Sequence, residues 1–159
     1  MANETSFPSA TPKYRRRPII SGLGATLTLG ADQSGSIICL DRAAGGTITL
    51  PLSAPLGTTF DFVVTVTNTS VGNKIITGVG TELLVGYIWN CDTDTSDAVA
   101  VWKSLVGASN ISITLGGTDT TKGGIIGDCI TLTKVTATKW QVTGVTGGTG
   151  TVATPFASS

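Results

Sequence analysis

The segment GTTFDFVVTVTN, residues 57–68, carries the clearest strand pattern in this sequence. Apolar and polar side chains alternate along it, and the apolar members are Phe60, Phe62, Val64 and Val66. In a β-strand, alternation with a period of two turns one set of side chains toward a core and the other toward solvent. The stretch therefore predicts a strand that is buried on one face.

The same pattern repeats on both sides of this strand, in short runs separated by Gly, Asp and Asn. These further predicted strands lie within residues 25–29, 36–40, 45–52, 74–77, 82–88, 98–102, 109–117, 129–134 and 138–144. About ten short strands with turn signals between them, and no helical period, are typical of an antiparallel sandwich or barrel. We expect an all-β fold, an antiparallel β-sandwich of the jelly-roll or a related Greek-key type.

Differences in composition and residue pattern along the chain predict three segments. Residues 1–20 form an extended basic N-terminal arm, residues 21–143 the β-sandwich domain, and residues 144–159 a tail rich in Gly and Thr. Charged residues make up 13% of the chain, against about 25% in ordinary soluble domains. A surface with so few charges is usually covered in part by another molecule, so we expect an oligomer or an assembly.

The composition argues against catalysis. The 159 residues include no histidine, which removes the usual nucleophile-activating base and the usual zinc ligand. Cys39, Cys91 and Cys129 are too widely spaced for a cysteine-only zinc site, and we expect them to be buried as small hydrophobic residues. The segment GGTDTTKGG, residues 116–124, departs from the phosphate-loop pattern and predicts a hairpin turn. We therefore expect no enzyme and no cofactor.

One loop keeps two binding alternatives open. The segment NCDTDTSDA, residues 90–98, carries Asp92, Asp94 and Asp97, which fail the EF-hand pattern but form a weak candidate for another kind of calcium loop. Otherwise they are residues that stabilise an exposed turn. Trp89 and Trp102 flank this loop, and together with Phe156 they are candidate core or subunit-contact residues. The tryptophans would alternatively stack on sugars or nucleobases.

Residues 27–65, LTLGADQSGSIICLDRAAGGTITLPLSAPLGTTFDFVVT, resemble a group of tailed-bacteriophage virion proteins, the small capsid decoration or cement proteins. The resemblance rests on a strand leading into ADQSG, an apolar strand ending in Leu-Asp-Arg, a Gly-Thr-Ile-Thr-Leu-Pro strand, and a turn into Phe-x-Phe. These motifs stand here at 31–35, 36–42, 46–51 and 60–62, and the ending GTGTVATPFASS, residues 148–159, is also similar.

The resemblance implies a non-enzymatic structural protein that binds the outer surface of a phage capsid and stabilises it. The resemblance further implies that the protein is a homotrimer and that its partner is the major capsid protein. It would be located in the virion, after assembly in the host cytoplasm. The alternative is a receptor-binding or glycan-binding β module of a phage tail fibre, because related Gly/Thr-rich modules occur there. No apolar leader and no membrane-length apolar run are visible, so we expect no membrane partner.

The arm lies outside the resemblance, so only the physical chemistry of its own residues indicates its role. Ordering 20 residues costs of order 20–40 kcal/mol, whereas exposed ion pairs return about 0–1 kcal/mol each. Apolar anchors must therefore carry most of the binding, with the cations setting register. The predicted capsid-binding residues of the arm are Phe7, Lys13, Tyr14, Arg15, Arg16, Arg17, Ile19 and Ile20. Nucleic-acid binding is not expected, because residues 21–159 are net acidic.

Overall fold

A computed structural model describes residues 16–94, 99–104 and 109–158 of the chain. Strands account for 46% of these residues and helix for 2%, in two sheets packed face to face. The predicted all-β sandwich is therefore confirmed.

The larger sheet has seven strands in the described residues. They are β1 (Ile19–Ile20), β3 (Ile37–Leu40), β5 (Thr59–Val64), β7 (Leu83–Asp92), β8 (Val99–Lys103), β10 (Cys129–Thr136) and β11 (Lys139–Gly148). Across the sheet the order is β1-β3-β5-β10-β11-β7-β8. The segment of residues 57–68 thus supplies β5, which lies inside the sheet, while Val66 lies beyond the end of the strand and is exposed.

The smaller sheet has five strands in the same described part of the chain. They are β2 (Thr26–Thr28), β4 (Gly46–Thr49), β6 (Asn73–Ile76), β9 (Ser112–Leu115) and β12 (Phe156–Ala157). Across the sheet the order is β12-β9-β6-β4-β2. A short 3₁₀ turn at Ala31–Gln33 joins β2 to β3.

The first six strands alternate between the two sheets, so that the chain winds around the core in successive turns. We call this winding the coil. Within each sheet, successive strands of this coil run parallel, β1 to β3 to β5 in one and β2 to β4 to β6 in the other. Parallel strands need a long crossover connection, and here the intervening strand of the opposite sheet provides it. The prediction of antiparallel pairing is therefore wrong for this half, and both sheets are mixed.

The core lies between the sheets and contains the predicted inward faces. Phe60 and Trp140 meet at its centre, with their ring centroids 6.3 Å apart. The other fully buried large apolar residues are Leu29, Ile38, Leu40, Ile48, Leu50, Phe62, Ile75, Leu84, Ile88, Ile113, Leu115, Ile130 and Leu132. Burial of this kind contributes roughly 1.5–3 kcal/mol per large side chain, which is the main stabilisation of the sandwich.

A buried ion pair lies beside Trp140. The Lys134 ammonium is 2.5 Å from a carboxylate oxygen of Glu82, and both side chains are almost fully enclosed. The Trp140 indole N–H donates to the other oxygen of Glu82 at 2.8 Å, and the ammonium lies 5.2 Å from the centroid of the Trp140 ring. Because every charge here has a partner, the cost of burying it is offset.

The structure places the ends of the sandwich differently from the predicted boundaries at residues 20/21 and 143/144. Ile19 and Ile20 form β1, whose neighbour Pro18 accepts the N–H of Ile37 at 2.9 Å. At the other end β11 continues to Gly148, because its pairing with β7 does not stop until there. The predicted C-terminal tail then returns to the smaller sheet, where Phe156 pairs with Ile113.

Two carboxylates fasten turns at the edges of the fold. Partial burial acts to raise the pKa of Asp41, but the N–H groups of Gly22 and Leu23 outweigh it and lower that pKa. Desolvation raises the pKa of Asp128, although its carboxylate accepts the N–H groups of Gly124 and Gly147, each at 2.7 Å. Asp41 thus holds the first turn of the coil, and Asp128 holds the loop before β10.

Candidate functional site

The outward side of the seven-stranded sheet, here called the outer face, carries an unbroken line of apolar side chains. Register pairs Cys39 with Val63, Val63 with Cys129, Cys129 with Val145, Val145 with Trp89, and Trp89 with Val101. We call these six residues the apolar row. Neighbouring strands are about 4.8 Å apart, so the row is about 24 Å long.

The middle and one end of the apolar row are open to solvent. The exposed fractions are 50% for Val145, 45% for Trp89 and 51% for Val101, and Cys129 is also exposed. Scattered exposed apolar residues are ordinary on a protein surface, but a contiguous line of them is typical of a contact surface. The row is therefore the strongest candidate for a binding surface in the described part of the chain.

A second row on the outer face runs parallel to the apolar row, two residues earlier on most strands. It consists of Ile19, Ile37, Asp61, Thr131, Thr143, Tyr87 and Lys103. Its two charged residues both have contacts within the chain. Asp61 forms an ion pair with Arg17 and accepts the Thr131 hydroxyl at 2.5 Å, while the Lys103 ammonium lies 5.6 Å from the centroid of the Tyr87 ring. The apolar row itself contains no charged residue, and the charge of exposed Lys103 belongs to the second row.

The cysteines differ from their prediction. Cys129 is exposed, and Cys39 and Cys91 are half-buried on the outer face, so none is a core residue. The reason is register, because the inward positions of these strands are held by Ile38, Ile130 and Asn90. All three thiols are free, and two of them belong to the apolar row.

The arm prediction is only partly within the described residues. Phe7, Lys13, Tyr14 and Arg15 lie outside them. Arg16 is exposed, whereas Arg17 donates to the carbonyl oxygen of Gly35 at 2.8 Å and is ion-paired to Asp61. Ile19 is 65% exposed, and Ile20 packs against the core. Arg17 and Ile20 are therefore engaged by this chain's own sandwich.

The aromatic candidates are separated by the structure. Trp89 lies in the apolar row, but Trp102 pairs with the fully buried Ile88 and so points to the opposite side of the sheet, where it packs against the core. This separation contradicts the alternative in which the two tryptophans stack on one ligand, whereas Trp102 fits the expectation of a core residue. Phe156 is 8% exposed inside this chain's own core, which leaves little of it for a subunit contact.

The aspartate loop is fastened to backbone groups. Asp92 accepts the N–H of Asp94 at 3.0 Å, and Asp94 accepts the N–H of Gly150 at 2.6 Å. Asp97 lies outside the described residues. Among the residues that are described, no three potential ligands come together as a metal site. The observed bonds are those of a turn.

The glycine-rich segment 116–124 does not form the predicted hairpin. It crosses from β9 in the smaller sheet to β10 in the larger sheet. Asp119 accepts the hydroxyl of Thr121 at 2.7 Å, and the carbonyl oxygen of Thr121 accepts the Asn90 amide at 3.0 Å. The segment is thus a structural crossover between the sheets.

Comparison with known proteins gives no assignment: no family model, curated protein or solved structure matches the chain. No helix in the described residues is long and apolar enough to cross a membrane. The interpretation of the outer face therefore rests on its own geometry. Sequence reasoning missed this face because a row across six strands becomes visible only when the strand order and the register are known.

Proposed function

We propose that this protein is a non-enzymatic structural protein of a phage virion, which binds the outer surface of the capsid and stabilises it. The observation that carries the proposal is the apolar row, because a contiguous apolar row that contains no charged residue suits a contact between the protein subunits of an assembly. The resemblance of residues 27–65 to capsid decoration proteins supplies the kind of assembly. It also supplies the partner, the major capsid protein, and a homotrimeric state.

The arm is the proposed capsid clamp, and the structure shortens the part that is available for it. Arg17, Pro18 and Ile20 are bonded to or packed on the sandwich. The residues left to reach a partner are 1–15, which span at most about 50 Å when extended, together with exposed Arg16. Phe7 and Tyr14 are the apolar anchors of this part, and Lys13, Arg15 and Arg16 are the cations that would pair with capsid carboxylates.

Co-sedimentation with purified heads of the phage that encodes this chain tests the proposal. The full chain is expected to bind heads to saturation and to raise the temperature at which they break. A chain lacking residues 1–15 is expected to unfold cooperatively, as the full chain does, but to lose saturable binding. A full chain that does not bind heads would overturn the function, while undiminished binding by the shortened chain would overturn only the role of the arm.

A second candidate, a glycan-binding module of a tail fibre, is favoured by one observation. Trp89 and Tyr87 are both exposed on the outer face, at 45% and 44%, and Tyr87 borders a shallow cavity of about 320 Å³ lined also by Val85, Val135 and Gln141. Aromatic side chains of this kind stack on sugar rings. Glycan-array binding that is lost on Trp89→Ala, with no binding to heads, would favour this candidate.

A further inference from the structure

We propose that the outer face binds a second copy of this chain, face to face, about a two-fold axis that lies between β10 and β11 and runs parallel to the strands. This inference rests on the proposed function, since it names the partner of the surface that carries it. The capsid contact is then left to the arm and to other surfaces.

The order of side chains along the apolar row is what favours a second copy. An axis through the middle of the row places each member opposite the member equally far on the other side. Trp89 of one copy then faces Val63 of the other, Cys129 faces Val145, and Cys39 faces Val101. The one large side chain of the row therefore meets a small, half-buried one, which is the size match that close packing needs.

The charges of the second row are compatible with the same arrangement. Under the same axis Asp61 of one copy faces Tyr87 of the other, and Ile37 faces Lys103. Lys103 of each copy thus comes next to the Asp61–Arg17 ion pair of the other, and not next to an isolated charge of the same sign. Neither of the two rows places like charges against each other, although such repulsion normally opposes self-association.

The area of the outer face sets the affinity that we expect between the two copies. A face about 24 Å wide and about 20 Å along the strands has a flat area of roughly 500 Å² per copy. Stable interfaces bury about 800 Å² of accessible surface per partner. An uneven surface has more accessible area than its flat outline, so the area buried per copy exceeds this flat estimate. The pair therefore lies at the lower end of the size range of stable interfaces. We therefore expect it to dissociate on dilution.

A two-fold contact by itself gives two copies of the full chain. If the three-fold order implied by the resemblance also forms, six copies are expected when the two-fold and three-fold axes meet at right angles, and larger species otherwise. Sedimentation-velocity measurements over a wide range of protein concentrations give this number directly. One or three copies at every concentration would overturn the inference.

Trp89→Lys is the decisive variant, because it places an ammonium group against Val63 at the centre of each half of the contact. It is expected to weaken self-association by about a hundredfold or more, since a buried charge without a partner costs several kcal/mol. Val145→Lys is a second variant at another exposed position of the row, for the case in which the first fails to fold. Thr28→Lys is the matched control, because it places the same charge at an exposed position of the smaller sheet, and it is expected to associate as the unsubstituted chain does.

The native thiol of Cys129 reports on the same contact without any substitution. Cys129 is exposed in the single chain and central in the proposed pair, so its alkylation should slow as protein concentration rises. In Trp89→Lys the alkylation rate should stay independent of concentration. Equal rates for the two proteins at high concentration would overturn the inference. A chain that pairs without binding heads would instead refute the proposed function and leave the pairing intact.

Discussion

At the scale of single residues, Lys134 and Glu82 show how this sandwich tolerates charge in its interior. Their ion pair lies at 2.5 Å with both side chains enclosed, and Trp140 donates to the carboxylate and lies beside the ammonium. The alternation of β10 correctly predicts that position 134 points inward with Leu132. The sequence pattern does not reveal the partner, because Glu82 is 52 positions away and joins Lys134 only through the order of β10, β11 and β7.

Lys134→Met is expected to lower the free energy of unfolding by about 3–5 kcal/mol, because it leaves the Glu82 carboxylate buried without a counter-charge. Urea denaturation followed by tryptophan fluorescence measures this. The double variant Glu82→Gln with Lys134→Met is expected to recover most of the loss, since the glutamine oxygen still accepts the Trp140 N–H. A single variant as stable as the original chain would contradict the buried pair.

The cysteines mark the limit of prediction from residue type. Cysteine is commonly buried, and that general tendency led to the expectation of core thiols. Cys129 begins β10 at an outward position, next to the buried Ile130, so the local alternation of CITLTK already places it outside. For Cys129, the strand pattern therefore predicts the exposure of the side chain better than the residue type does.

At the scale of elements, the strands could be predicted and their directions could not. The alternation in residues 57–68 shows which side chains of β5 face the core, but it holds equally for parallel and antiparallel neighbours. Direction depends on the connections, and in the first half of the chain each connection passes through the opposite sheet. Gly45 serves one of these connections with φ +74°, where a Cβ would run into the carbonyl oxygen of Val71. Short glycine turns of this kind do not by themselves distinguish a coil from a hairpin.

The C-terminal strand gives a prediction at this scale. Phe156→Ala is expected to lower the free energy of unfolding by about 3 kcal/mol, because the side chain fills the core beside Ile113 and its loss leaves a cavity. Thermal unfolding measures this effect, and the control is Ser158→Ala, at an exposed position two residues further on. An unchanged unfolding temperature for Phe156→Ala would show that β12 does not contribute to the fold.

At the scale of the whole molecule, composition predicted the character of the surface but not its location. The low share of charged residues indicated a partly covered protein, and the exposed apolar row is the surface to which that expectation applies. The candidate residues divide according to where the fold places them. Trp89 faces outward and is available to a partner, while Phe156 and Arg17 are used by the chain itself. No property of a single residue type made that distinction, because it depends on which sheet and which face each position occupies.

The proposed role, binding in many copies to a capsid surface, is checked by counting this protein in the particle. Quantitative mass spectrometry of purified virions, referenced to the major capsid protein, gives the number of copies per particle. Dozens to hundreds of copies are expected, and they should leave the particle when the heads are disrupted. A handful of copies that stay with the tail fraction, or complete absence from the particle, would contradict it.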